Sequence, residues 1–427
     1  MRPGVTAVKD PALRSLKHIL RALRYRNYRL FFSGQVISLV GTWMQSMAMG
    51  WLVYRLTNSA FFLGVIGFSS QVTTLFVTPF AGVWADRWNR RRILIITQTL
   101  SMIQALILAF LVISGKAQVW HIIALSVFMG LIVSFDMPVR QSFIIDMIEH
   151  KEDLGNAIAL NSLIFNLARF AGPMAAGILV AAFGEGVCFL INGLSYIAVI
   201  AALLSMSIPR PRSSYDSPGV FASLKEGFNY TFGFPPMRLI LILMALVSFI
   251  VMPYSVLLPA FARDTLRGNS LTLGFLMGAT GIGAFAGAVM LASKKGVKGL
   301  GRIIPLAGLV FGSGLILLSF TRQVWLAMVL MVFIGLAMMV YVASSNTVLQ
   351  VLSEDDKRGR VMSFYTAAFI GLTPFGSLLA GALAQSGLGT PRTILIVGLV
   401  CVCAALVFSS RMRRFNRVID EADPSRV

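Results

Sequence analysis

The stretch "GVWADRWNRRRIL", residues 82–94, sets one acid and four arginines between two long apolar runs, near 60–84 and 93–114. Charges this dense do not sit in hydrocarbon, whereas each flank has the ~20 apolar residues that cross ~30 Å of bilayer. Working outward, the same alternation gives further apolar segments near 29–54, 119–139, 156–182, 187–207, 238–262, 271–292, 303–320, 324–350, 360–385 and 392–411. Together these make 12 spans. Composition agrees: 57% of the 427 residues are hydrophobic, 13% are charged, and the mean hydropathy is +0.79. A soluble domain holds roughly 45–50% and about 25%. The fold class expected is an all-α polytopic membrane protein.

The formal charge of +20 would suggest nucleic-acid binding in a soluble chain, but here the cations lie outside the spans. The amino terminus, the even-numbered loops and the carboxyl terminus hold 30 of the 37 Lys/Arg, the odd loops hold six, and Arg169 is left over. By the positive-inside rule both termini are expected in the cytoplasm, and no nucleic-acid partner is expected. The apolar run after the basic first 29 residues has full spanning length, so no cleavable signal peptide is expected. Cys188, Cys401 and Cys403 lie in apolar runs without metal-ligand spacing. With His18, His121 and His150 near membrane edges they predict no metal site, no cofactor and no enzyme. The absence of Gly-x-x-x-x-Gly-Lys-Ser/Thr argues against ATP as the energy source.

The organisation expected is a basic amino terminus (1–28), six spans (29–207), a Pro/Ser/Gly-rich linker (208–237), six spans (238–411) and a cytoplasmic tail (412–427). Within the linker region "SLKEGFNYTF" suits a short amphipathic helix on the membrane surface. The halves repeat. "FAGVWAD" (80–86) aligns with "FAGAVML" (285–291), and "NLARFAGPMAAGIL" (166–179) with "IGLTPFGSLLAGAL" (370–383), at offsets of 205 and 204. Parallel repeats of this kind build transporters whose substrate site lies between the halves near the bilayer midplane.

The opening stretch resembles the loop 2–3 signature of the major facilitator superfamily, Gly-x-x-x-Asp-Arg-x-Gly-Arg-Arg, carried here by Gly82, Asp86, Arg87, Arg90 and Arg91. Asn89 stands where the family has Gly, and Asn tolerates the left-handed conformation best among other residues. The resemblance implies a cytoplasmic gate in which Asp86 faces the start of span eleven, after "SEDDKRGR" (353–360). "DMPVRQSF" (136–143), "LGNAIALNSLIFNLARFAGP" (154–173) and "WLVYRLTNSAFFLG" (51–64) resemble the branch holding the enterobactin exporter and the macrolide and multidrug efflux proteins. "ARFAGPMAAG" (168–177) matches the superfamily's antiporter motif at Gly172, Pro173 and Gly177, with Ala168 and Ala176 in place of Gly. This favours export by antiport.

Arg169 is the anomaly of span five. An arginine at the centre of a span costs about 2.5–3.5 kcal/mol unless it meets water or a partner. Ser162, Asn166, Arg169 and Pro173 share one helical stripe, and Ala168, Gly172 and Ala175 the next. The polar stripe is expected to line a water-filled cavity, with Arg169 attracting an anionic or carbonyl-bearing substrate. The competing reading is an arginine that braces neighbouring spans. Gln35, Trp43, Gln45, Tyr254, Asn346 and Tyr365 are further cavity candidates, each also suited to helix packing. Asp136 is the only acid expected inside the membrane and the candidate for proton coupling, unless it is merely paired with Arg140 four residues on. The function expected is secondary active export of small amphipathic molecules, siderophore- or drug-like, across the bacterial inner membrane by proton antiport. A facilitator or lipid flippase of the same fold is the alternative, and a transporter-fold sensor or scaffold a further one. Its partners would be substrate, membrane lipid and protons, with the protein acting as a monomer.

Overall fold

A computed structural model of the chain describes residues 20–85, 88–206, 220–294, 296–354 and 357–412. The described residues are helices joined by short turns, without strands. Spans one to six are Arg26–Thr57, Ala60–Ala85, Arg90–Ile113, Val119–Asp146, Leu154–Phe183 and Glu185–Leu204. Span seven runs over Pro235–Thr265, and spans eight, nine and ten are Ser270–Ala292, Leu300–Phe320 and Val324–Leu352. The continuous apolar stretch Arg358–Met412 is two spans. It folds back where Gly387 (φ 89°) and Gly389 (φ 75°) adopt backbone angles that disfavour any side chain. Most spans are longer than their apolar runs. Span four continues past residue 139 to Asp146, and span seven reaches Thr265, which brings Asp264 into a helix expected to hold no acid.

Local chemistry sets the turns. Span one ends at Asn58, in the left-handed region with φ 48°. Span eight starts at Asn269, whose side chain accepts from the Thr272 amide. Asn89 is not left-handed. At φ −68°, ψ 111° it is the N-cap of span three, its side-chain oxygen 3.2 Å from the Arg92 amide. The departure from the family's Gly is therefore met by capping, a role Asn fills well, rather than by its tolerance of positive φ.

The two halves repeat their packing. Span two lies on four, three on six and three on four in the first half; eight on ten, nine on twelve and nine on ten in the second. Between halves the main contacts are five on eight and two on eleven, again a symmetric pair. Both contacts are made by glycines. A Cβ at Gly64 would lie 2.5 Å from the Ser377 carbonyl oxygen, and one at Gly274 would lie 2.5 Å from that of Pro173. Helices in lipid gain little from burying apolar area against each other, so close backbone approach at small residues supplies the attraction.

The second half contains irregular backbone. Span seven passes through a wide turn at Val247–Val251 and a tight one at Met252–Leu257; Pro253 within the tight turn and Pro259 just after it remove amide donors. Span eleven breaks between Arg358–Ile370 and Thr373–Leu383. Within a membrane such backbone is tolerated where it is buried in protein or lines a water-filled space. The linker residues 207–219 lie outside the described residues. The expected amphipathic helix forms at Val220–Gly233, and Phe228 and Phe232 rest on Phe364 of span eleven (centroids 6.0 and 6.1 Å apart).

Candidate functional site

The bundle has two ends, a basic one carrying the loops around Arg90, Arg302 and Arg358, and a far one. Contacts that join the halves gather at the far end and at mid-depth. Tyr54, near the end of span one, donates to Asp264 of span seven, and the Arg263 guanidinium lies over the Tyr54 ring at 5.8 Å. Gln385 Oε1 accepts from the Ser59 hydroxyl and the Ala60 amide, both at 3.1 Å. The Ser270 hydroxyl donates to the Gly177 carbonyl at 3.4 Å. Nearer the middle, Phe68 meets Phe375 edge-on at 5.6 Å. At the basic ends of spans five and eleven, a Cβ at Gly155 or Gly359 would meet nothing. Among the described residues the two halves are thus joined at the far end and at mid-depth.

Span five lies where the halves meet, and its faces can be read in turn. Gly172 sits against span one, where a Cβ would lie 2.5 Å from Trp43 Cβ. Phe170, Met174 and Gly177 sit against Gly281, Gly278 and Gly274 of span eight. At ~3.6 residues per turn, Ser162, Asn166, Arg169 and Pro173 fall between those two faces. Leu167 and Ile178, both exposed, lie opposite. The polar stripe therefore points into the space between spans one, seven and eight. There the Arg169 guanidinium is within electrostatic range of the Tyr254 hydroxyl, on the tight turn of span seven. Arg169 Nη2 is buried and has no hydrogen-bond partner. Asn166 instead donates to the Ser162 carbonyl one turn back at 2.8 Å, and Phe165 meets Trp43 edge-on at 5.7 Å. The antiporter-like residues are thus packing surfaces: Gly172 toward span one, Gly177 and the Pro173 carbonyl toward span eight.

Other expected cavity residues lie elsewhere. Gln45 is buried inside the first bundle, where it donates to Gln104 (3.0 Å) and accepts from Asn192 (2.8 Å). Gln35 is buried and accepts from Arg140. In a bundle interior an unpartnered amide is costly, so these side chains are taken up by neighbouring spans. Tyr365 is buried in the second half, donates to the Val342 carbonyl at 3.2 Å and stacks on Phe369. Asn346, half-buried on span ten, accepts from Gln350 on its own helix. Of these candidates, Trp43 and Tyr254 approach the polar stripe of span five, and Tyr254 is itself buried, edge-on to Phe311 of span nine at 5.8 Å.

Asp136 is buried and fully engaged. Oδ2 accepts from Arg140 Nε at 2.8 Å and from its Nη2, while Oδ1 accepts from Thr97 (2.8 Å) and Gln98 (2.7 Å). Within the opening motif, Asp86 and Arg87 lie outside the described residues, as do the side-chain surroundings of Gly82. Arg90 holds Asp146 of span four at 2.9 and 3.0 Å. Arg91 donates to the Leu203 and Leu204 carbonyls at the end of span six, where a cation is favoured. Both brace the first half.

Sequence reading missed the polar contacts at the far end. Beyond Tyr54 and Asp264, Glu185 is buried at the start of span six and paired with Arg55 at 2.7 and 3.0 Å. Arg55 and Arg263 were visible as odd-loop cations, but nothing in the linear order brings residue 54 to residue 264. Outside the membrane, Asp153 accepts from Tyr25 at 2.7 Å and pairs with Arg21 and Arg24. The Tyr25 hydrogen bond, reinforced by the two guanidiniums, holds its carboxyl below the usual carboxylate range.

The sequence profile of the transmembrane secretion effectors matches residues 19–425. The staphyloferrin A transporter of Staphylococcus aureus is 26% identical over 401 residues, covering 92% of this chain and 98% of that protein. The multidrug efflux pump Tap of Mycolicibacterium fortuitum is 24% identical, covering 88% and 94%. Macrolide efflux protein A of Streptococcus pyogenes is 20% identical, covering 90% and 96%. Among solved structures, the nucleoside transporter NupG superposes with a TM-score of 0.68 at 14% identity, covering 91% of this chain and 98% of that one. A POT family transporter superposes with a TM-score of 0.71 at 11% identity, covering 92% and 96%. These structures share the fold.

Proposed function

The chain belongs to the transmembrane secretion effector family of the major facilitator superfamily, and on that premise we propose that it exports small amphipathic molecules across the bacterial inner membrane by alternating access. It is a membrane transporter of the efflux kind and not an enzyme. The observation that carries the finer reading is the polar stripe of span five, set between spans one and eight and facing Tyr254. With both termini cytoplasmic, as the charge asymmetry favours, the far end is the outer face. A carrier whose halves are joined at the outer face takes up substrate from the cytoplasm, as an exporter must. Siderophore- or drug-like cargo is suggested by the staphyloferrin A, multidrug and macrolide transporters it resembles.

Proton exchange is the drive we assign, with Asp136 and Arg140 as the candidate coupling pair. A second reading, facilitated export without protons, is favoured by the saturation of Asp136: a proton there must displace Arg140, Thr97 and Gln98. Purified protein in liposomes, given an imposed pH gradient and labelled siderophores, macrolides and dyes, separates the two. Gradient-driven flux supports antiport, whereas flux indifferent to the gradient establishes the facilitator. In the same liposomes Asp86→Asn is expected to lower turnover several-fold while substrate still binds, because the gate's anion is lost. Wild-type turnover would count against the gate.

A further inference from the structure

Several arginines of the spans sit among buried groups, and Arg55, Arg140 and Arg169 differ in what balances them; Arg263, whose Nη1 also has no hydrogen-bond partner, lies over the Tyr54 ring that bonds Asp264. Arg55 holds Glu185 and Arg140 holds Asp136, each through two guanidinium nitrogens. Arg169 forms no ion pair among the described residues, and its Nη2 is buried without a partner. A guanidinium withdrawn from water without an anion is strongly disfavoured, and one kept there needs an external partner for its net charge. The group within its electrostatic range is a phenol, Tyr254, and the aromatic pair of Phe165, one turn back on the same span, and Trp43 is uncharged, so none of these brings negative charge. The bundle-bracing alternative requires acceptors from neighbouring spans, and Nη2 has none.

We propose that Arg169 is the counter-charge for an anionic substrate, a carboxylate carried on an apolar or aromatic body. The proposal rests on the export reading above and is independent of the ion exchanged. The planar guanidinium presents parallel N–H donors that match a carboxylate's two oxygens. Phe165, one turn away on the basic side, and Trp43, edge-on to it, provide flat apolar surface for the rest of the molecule, and Tyr254 adds a hydroxyl on the opposite half. A carboxylate lodged there touches both halves at once. Its charge is worth most when the space closes and water leaves, since attraction between ions grows as the local dielectric falls. Loading therefore favours the closed intermediate that precedes release on the other side, while a neutral molecule of the same shape lacks that bias.

The test uses dansylglycine, a carboxylate on an aromatic body, and dansylglycinamide, its neutral counterpart. Binding to the full-length protein in detergent is followed by dansyl fluorescence and by thermal unfolding. The carboxylate is expected to bind at least tenfold more tightly than the amide and to raise the unfolding temperature. In Arg169→Gln that preference should vanish, the carboxylate binding no more tightly than the amide, and Arg169→Lys should restore part of it, since the charge returns without the fork. Equal binding of the two probes to the wild-type protein overturns the proposal. So does an Arg169→Gln protein that keeps its preference, or one that loses stability while both affinities fall together. If the amide binds and is transported in liposomes but the carboxylate is not, the anion assignment fails and export stands. If neither probe binds or crosses, the anion assignment falls, and the macrolide and dye fluxes decide the export reading separately.

Discussion

At the scale of single residues, the buried charges divide by whether the fold supplies their partners. Asp136 and Arg140 are one pair, and their removal is not symmetric. Asp136→Asn leaves the Arg140 guanidinium without its carboxylate in a mostly buried site, which costs about 3 kcal/mol. Asp136→Asn combined with Arg140→Gln is expected to recover much of that loss, and a double-mutant cycle by thermal unfolding in detergent measures it. Asp153 behaves differently because it lies outside the membrane. Its carboxyl is held below the usual range, first by the Tyr25 hydroxyl and then by Arg21 and Arg24. The folded form thus binds its proton less readily than the unfolded chain, and the stabilisation is complete above the unfolded value of about 3.9. It is lost as pH falls through the lower folded value. The unfolding temperature of Asp153→Asn should therefore sit below wild type by a constant margin from pH 7 to about pH 5, and the gap should close in stronger acid. A gap that does not change with pH would mean that the carboxylate's charge is not what stabilises the turn.

At the scale of elements, the helices that join the halves do so through glycine. Gly64 on span two meets the Ser377 carbonyl and Gly381 on span eleven, while Gly177 and Gly274 meet between spans five and eight. A side chain at these positions collides with backbone, which has nowhere to move, so the helices must separate. Gly64→Leu is expected to open the far end. Cysteines placed at Ser59 and Gln385, whose side chains bond across the halves at 3.1 Å, should then form a disulfide less readily than in the wild-type background. An unchanged disulfide yield would show that the close approach is dispensable. The same elements explain how the repeats were legible in sequence. "FAGPMAAG" and "PFGSLLAG" preserve small residues at matched positions because both helices make the same kind of close contact.

At the scale of the whole molecule, polar contacts at the far end are reversible where glycine contacts are not chemically adjustable. Tyr54 and Asp264, with Arg263 over the ring, form a bond that must break for that end to open. Tyr54→Phe is expected to shift the carrier toward the far-end-open state by about the worth of one charge-assisted hydrogen bond, 1.5–3 kcal/mol. Spin-label distances between the outer ends of spans one and seven would report it. An unaltered distance distribution would assign the closure to the glycine contacts.

The sequence by itself determined the spans, their division into two repeated halves, the charge asymmetry and the family. These follow from one-dimensional quantities: the length of an apolar run against bilayer thickness, the sign of loop charge, and residue types repeated at a fixed offset. It also singled out Arg169, because a cation in an apolar run is anomalous wherever the helix packs. What it left open was decided by tertiary contact. Gln35, Gln45 and Tyr365 have the same chemistry as cavity residues, and only the neighbouring spans show that their hydrogen bonds are already taken. Asp136 could have been a free acid until Arg140, Thr97 and Gln98 closed on it. Tyr54 and Asp264 are 210 residues apart, and no local pattern brings them together. A buried polar group's role depends on whether the surrounding helices satisfy it, and that is a property of packing in three dimensions.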